Sequence, residues 1–262
     1  MKKFLAITLS LLMALSVAAC GKKKADSDME YVKDKGTLVV GITEFAPMDY
    51  KDANGEWIGF DADMARAFAD YLGVDVKFVL IDWDNKIFEL DSSAIDCVWN
   101  GMTLLDDVKA KMECSKPYCN NAQVVIVPKD KADQYQTKES LKDLYFAVES
   151  KSAGEGQVDL LDLEYVSVLD QATALTEVAG GTADAAVIDS LMAGAMVGSD
   201  KTGFPNLTYT VELNAEEYGV GFRKGSDLAQ ELNDFFAKSY ADGTMMKLAE
   251  KYGVQAAIIP QQ

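Results

Sequence analysis

The sequence predicts an α/β protein of two lobes, each a mostly parallel sheet covered by helices. Three observations lead there. From Thr37 onward, short apolar runs of strand length alternate with amphipathic runs of helix length; this alternation implies parallel strands linked by crossover helices on both faces. About ten strand-like runs are too many for one compact sheet in 262 residues, so two lobes of about five strands divide them better. Composition is that of a globular protein, 49% apolar and 26% charged, with no low-complexity tract.

The elements follow in order. "TLVVGIT" (37–43) reads as a buried strand. "FDADMARAFADYLG" (60–73) places Phe60, Met64, Phe68 and Tyr71 on one helical face, closed by Gly73. "VDVKFVLID" is a strand, "NKIFELDSSA" a helix, and "IDCVWNG" a strand that runs into a loop. "AQVVIVPK" is a strand, "TKESLKDL" a capped helix and "YFAVES" a strand. A weaker helix, "AGEGQVDLLD", precedes the strand "LEYVSV". "QATALTEVAGG" is a helix ended by glycines, "ADAAVID" a strand and "SLMAGAMVG" a helix. "LTYTVEL" and "YGVGFRKG" are strands, and residues 226–253 make two final helices split near Gly243.

Residues 1–19 read as a leader rather than part of the fold. Lys2 and Lys3 precede the apolar run Phe4–Ala19, which is short for a membrane span. The run ends in "VAAC", which resembles the bacterial lipobox and makes Cys20 the expected lipidation site; an ordinary secretory signal cut after Ala19 is the alternative. Residues 20–35 then read as a lipidated cysteine and a charged tether, with Lys22–Lys24 placed to meet anionic lipid. The expected location is extracytoplasmic, on the bacterial cell membrane. Loss of Lys2 and Lys3 would take the net charge from −17 to about −19. Such a field repels phosphate backbones and argues against a nucleic-acid partner.

Cys97, Cys114 and Cys119 allow at most one internal disulfide; Cys114 and Cys119 are the nearest pair, and Cys97 reads as a buried small hydrophobe. The chain has no histidine and no zinc-type cysteine spacing, so neither a metal centre nor a histidine-based triad is expected. No cofactor is expected either.

"VGITEFAPMDYKDANGEWIGFDADMARAFADYLG", "GMTLLDD", "SKPY", "ADAAVID" and "YGVGFRKGSDL" occur in an order and spacing that resemble the extracellular solute-binding proteins of family 3, the polar amino-acid receptors of ABC importers. The resemblance runs from about residue 36 to 253. It implies a periplasmic-binding-protein-like fold with two crossing strands, near Tyr118–Ala122 and Asn214–Tyr218. Lobe one would be 36–118 with 219–262, and the segment 119–218 would hold lobe two and the crossings. It also implies a monomer that captures a small solute between its lobes, closes on it, and delivers it to an ABC transporter permease without catalysis.

The same resemblance nominates the site. Asn100, Gly101 and Thr103 follow a strand directly, where loop amides and a hydroxyl can reach a polar ligand; a tight turn without ligand is the alternative. Asp189 would grip the ligand ammonium, or cap the helix that follows it. Phe45 and Trp83 match aromatic positions that sandwich the ligand, whereas Trp99 reads as lobe packing. Glu149 and Ala153 lie in a loop that receives ligand polar groups, with a solvated acid as the other reading of Glu149.

One position departs from the family. Seven residues before Ser115, where the family has an arginine that pairs with the ligand α-carboxylate, the chain has Val108. Lys109 points about 100° away from it on a helix, and Lys151 and Arg223 have no spacing argument behind them. The acids and aromatic faces that remain suit a cationic or amine-bearing solute better than a simple zwitterion. An amino acid fits if loop amides, or a Lys or Arg elsewhere, receive its carboxylate. Two other classes stay in view: a dehydratase on the same scaffold with Glu149 as its acid, and a ligand-sensing lipoprotein.

Overall fold

Residues 27–262 are described by the computed structural model; the leader, Cys20 and the first part of the expected tether lie outside them. The first half of the chain contributes β1 (Thr37–Ile42), the small ribbon β2 (Tyr50–Lys51) and β3 (Trp57–Ile58), β4 (Asp75–Leu80), β5 (Cys97–Thr103), β6 (Met112–Cys114) and β7 (Cys119–Asn121). Then follow β8 (Gln123–Pro128), β9 (Tyr145–Glu149), β10 (Glu164–Val168), β11 (Ala185–Asp189) and β12 (Leu207–Glu212), before β13 (Glu216–Arg223) returns to the first sheet.

The first sheet has the order β4-β1-β5-β13-β6, with β7 also on β13. The second has the order β10-β9-β11-β8-β12. Each is built around a parallel trio, β4-β1-β5 and β10-β9-β11, the product of crossover helices. Antiparallel strands join the trio where the chain enters or leaves the lobe: β13 beside β5, and β8 between β11 and β12. The architecture is thus the two-sheet α/β fold that the alternation predicts.

The chain passes between the sheets twice, and the two passages lie side by side. Asn121 pairs with Glu216 and Cys119 with Tyr218 in an antiparallel ladder. Just beyond, the Gln123 amide donates to Asn214 Oδ1 at 2.8 Å and the Leu213 amide to the Gln123 carbonyl at 2.8 Å. Away from these passages the two halves also touch: Ser150 Oγ donates to Asp84 Oδ2 at 3.0 Å, so the cleft between the sheets is shut at one edge.

Several elements differ from their sequence reading. The tether expected over 20–35 ends in a helix, Asp28–Lys35, whose Ser27 hydroxyl accepts from the Glu30 amide and whose acidic start and basic end suit the helix dipole. Its charges dock rather than dangle: Asp28 pairs with Arg223 at 3.0 Å and Lys35 with buried Asp96 at 2.6 Å. The helix expected over 137–144 is a single 3-10 turn, Lys138–Leu141. In the helix Phe60–Leu72 the buried row is Phe60, Met64, Phe68 and Leu72; Tyr71 lies on the same side and packs against Phe68 and Phe235, yet is 42% exposed. Cys97, Cys114 and Cys119 are all free thiols. Cys114 partners Gly221 and Cys119 partners Tyr218, positions three apart on β13, so their side chains leave opposite faces of the sheet and cannot meet.

Candidate functional site

A nearly closed cleft lies between the two sheets, with about 30 Å³ of free space in this arrangement, so a solute of amino-acid size needs the lobes to part. It sits beyond the carboxyl ends of β5, β9 and β11, where ligands collect in open α/β sheets. The residues nominated from sequence converge there: Phe45, Trp83, Asn100, Gly101 and Thr103 from the first sheet's side, and Glu149, Ala153 and Asp189 from the second's.

The β5 loop is fastened from behind. The Gly101 amide donates to buried Asp61 Oδ2 at 2.7 Å, and the Tyr118 hydroxyl bonds the same carboxylate. Gly101 has φ +55°, and a Cβ there would come within 2.3 Å of the Phe45 ring, so only glycine lets the loop and the aromatic ring lie this close. Asn100 accepts from the Thr43 amide at 2.9 Å and donates to its hydroxyl at 2.7 Å, which locks β5 to the end of β1. The Thr103 hydroxyl donates to Glu216 at 2.9 Å. Three donors expected to serve a ligand are therefore engaged within the protein, and their main effect is to hold the loop in shape. Trp99 is fully buried against Phe68, Tyr118 and Phe236, as the packing reading has it.

Asp189 stands before the helix Ser190–Met196 but makes no capping bond to it. Its carboxylate instead takes hydrogen bonds from four neutral side chains. Asn121, Gln123 (2.9 Å) and the Tyr218 hydroxyl (2.7 Å) donate to Oδ1, and Gln171 donates to Oδ2. Asn121 and Gln123 also donate to Glu216, at 2.6 and 2.8 Å, so two amides bridge two carboxylates at the strand crossings. Burial and then the charge of Glu216 push the Asp189 pKa up, against the pull of Tyr218 and Gln171. A carboxylate held by fixed neutral donors, with no cation of its own, is prepared to meet a positive group.

Glu149, at the end of β9, is 4% exposed and is not a solvated loop acid. Burial, followed by the nearby Asp189 charge, raises its pKa to about 8. Phe45 and Trp83 are buried cleft walls, 3% and 8% exposed. Ala153 begins the helix Ala153–Leu160, behind the Ser152 cap.

Val108 lines the cleft and is 4% exposed, so the wall at this position is apolar. Of the cations weighed from sequence, Arg223 is committed to Asp28 and the Ile95 carbonyl. Lys109 is exposed, and Lys151 lines the cleft but its side chain is 72% exposed beside Glu155. Sequence reasoning missed Lys86, which lines the cleft and is 6% exposed. It also missed Gln171, which both donates to the Asp189 carboxylate and accepts from the Asp189 amide at 2.9 Å. A Lys on an amphipathic helix and a Gln at a helix start carry no motif; only the fold brings them to the cleft.

Comparison with known proteins identifies the family and the fold. The pattern of bacterial extracellular solute-binding proteins, family 3, matches residues 38–255. The L-cystine-binding protein TcyJ of Escherichia coli (strain K12) is 30% identical over 248 residues, covering 92% of each chain. A probable histidine-binding protein of Neisseria gonorrhoeae is 30% identical over 274 residues, covering 98% of this chain and 99% of that one. Among solved structures, the ancestral amino acid-binding protein AncCDT-1, described as a precursor of cyclohexadienyl dehydratase, superposes with a TM-score of 0.80 at 33% identity, covering 86% of this chain and 99% of that one.

Proposed function

Since the chain belongs to family 3 of the bacterial extracellular solute-binding proteins, a family of amino-acid-binding proteins, we propose that it captures an amino acid of net positive charge in the interlobe cleft. One observation carries this reading: Asp189 and Glu149 are both buried in the cleft wall, and Lys86 is the sole buried cation among the residues lining it. A bound cation favours the ionised forms of both acids, and with Lys86 charged the closed cleft then bears one unbalanced negative charge. A solute of net charge +1 neutralises it, whereas a neutral or acidic solute leaves charge uncompensated in a closed, poorly solvated space. Phe45 and Trp83 add apolar faces that also attract cations.

In this reading Asp189 and Glu149 receive the solute's positive groups, and contact with both lobes favours the closed arrangement. The protein is lipid-anchored through Cys20 outside the cytoplasm and hands its solute to an ABC permease. Among the relatives an arginine-binding extracellular protein supports the solute class, whereas those named for cystine and histidine bind amino acids that are neutral overall at about pH 7. Glu149 is also the acid a cleft dehydratase would need, and the relation to a dehydratase precursor keeps turnover worth measuring.

The test is calorimetry with L-arginine and its neutral isostere L-citrulline. Tighter binding of arginine is expected by at least tenfold, about 1.4 kcal/mol. Equal binding, or preference for citrulline, would overturn the charge argument.

A further inference from the structure

Lys86 is an anomaly in the cleft wall. The residue is 6% exposed, yet among the described residues its ammonium makes no ion pair. Nζ donates to the Trp83 carbonyl at 3.1 Å and to the Lys151 carbonyl at 3.4 Å. An ammonium has three protons, so one is left without an acceptor in the protein. The charge lies 4.5 Å from the centre of the Trp83 ring, which is itself a cleft wall.

Its position relative to Val108 gives this meaning. Trp83 and Val108 belong to one apolar cluster, and the ammonium feels the charges of Asp107 and Lys111, on the helix Asp106–Lys111 that carries Val108. Lys86 thus brings a cation to the part of the cleft that Val108 lines with an apolar side chain. It also touches both lobes, through Trp83 on one and Lys151 on the other.

We infer that Lys86 receives the carboxylate of the bound amino acid, on the stretch of cleft wall that Val108 leaves apolar. The inference rests on the reading of the cleft as an amino-acid site. A carboxylate accepting the free proton of Lys86 gives the buried ammonium its missing partner, and the cation gives the carboxylate the compensation that Val108 cannot. Lysine is a point charge without a planar fork, so the site tolerates more than one carboxylate orientation than an arginine clamp would. Burial holds the Lys86 pKa down to about 8, against the pull of Glu149, Asp84 and Asp107, which fits an ammonium in need of an anion.

The experiment uses matched probes that differ by a carboxylate: L-arginine and agmatine, L-lysine and cadaverine, L-histidine and histamine. Each is titrated into the wild-type protein and into the Lys86→Met and Lys86→Gln variants, with thermal unfolding to confirm that the variants are folded. Wild type should favour the amino acid of its best-bound pair by at least tenfold, and both folded variants should reduce that preference to below about threefold, with the amine's affinity changed less than threefold. A preference that survives in the variants would overturn the assignment. So would equal losses for amino acid and amine, which would mean that Lys86 serves the charge balance of Glu149 alone. Binding of none of the six probes by wild type would instead overturn the reading of the cleft, and the role of Lys86 with it.

Discussion

Replacing Asp189 with asparagine separates the site from its scaffold. The carboxylate has two oxygens and four donors: Asn121, Gln123 and Tyr218 on Oδ1, and Gln171 on Oδ2. An asparagine oxygen in the Oδ1 position keeps three of these bonds. Its NH2 group then faces the Gln171 NH2, and the Gln171 amide cannot simply flip, because its oxygen accepts from the Asp189 backbone amide at 2.9 Å. One buried donor contact is lost, costing about 1–3 kcal/mol. Relief from burying a carboxylate whose pKa is already pushed up offsets part of this. The free Asp189→Asn protein should therefore fold, destabilised by roughly 1–2 kcal/mol in urea unfolding. Ligand binding loses a charge-assisted bond in a closed site, about 2–5 kcal/mol, or roughly 30-fold to a few thousand-fold in Kd. Calorimetry with L-arginine on both proteins reads the second number. A folded variant that binds within threefold of wild type would refute the role of Asp189 as the ammonium partner and leave it a structural hub of the strand crossings.

Three further outcomes are expected. Cys20→Ser should leave the membrane fraction or accumulate as unprocessed precursor, and unchanged membrane retention and processing would argue against the lipid anchor. Saturating ligand should shift the solution population toward the closed form and reduce the radius of gyration in small-angle scattering; an unchanged profile would count against hinge closure. The raised Glu149 pKa makes the folded state the better proton binder between pH 4.5 and about 8. Its contribution to free-protein stability is thus fully present below pH 4.5 and lost as pH rises toward 8. Glu149→Gln should flatten that fall in urea titrations, and an unchanged slope would show that Glu149 titrates normally.

Most of the fold was legible because strand-and-helix alternation is a local signal repeated many times. The elements that were not legible are those whose state depends on distant partners. The charged segment Asp28–Lys35 reads as tether until Arg223 and Asp96, far along the chain, are found to meet it. The short strands β6 and β7 exist through pairing with β13, and three residues each are too few to show periodicity. The site divides the same way. Gly101, Asp189 and Phe45 were reachable because they sit in ordered motifs at strand ends. Lys86 and Gln171 were not, because their meaning comes from burial against the cleft, and burial of a polar residue on an amphipathic helix is a tertiary fact. The absence of arginine at 108 was the one sequence clue that such a cation was worth seeking.

The central claim, capture of a net-cationic amino acid, is tested most directly by a thermal-shift series over the twenty amino acids and their common amines. A ligand that binds only the folded state at a hundred times its Kd adds about 2.7 kcal/mol of stability, enough to move the unfolding midpoint by several degrees. Capture of a cationic solute should give the largest shifts with amino acids of net positive charge, and little shift with acidic or simple neutral ones. A shift confined to acidic or neutral amino acids, with none from the cationic set, would contradict it.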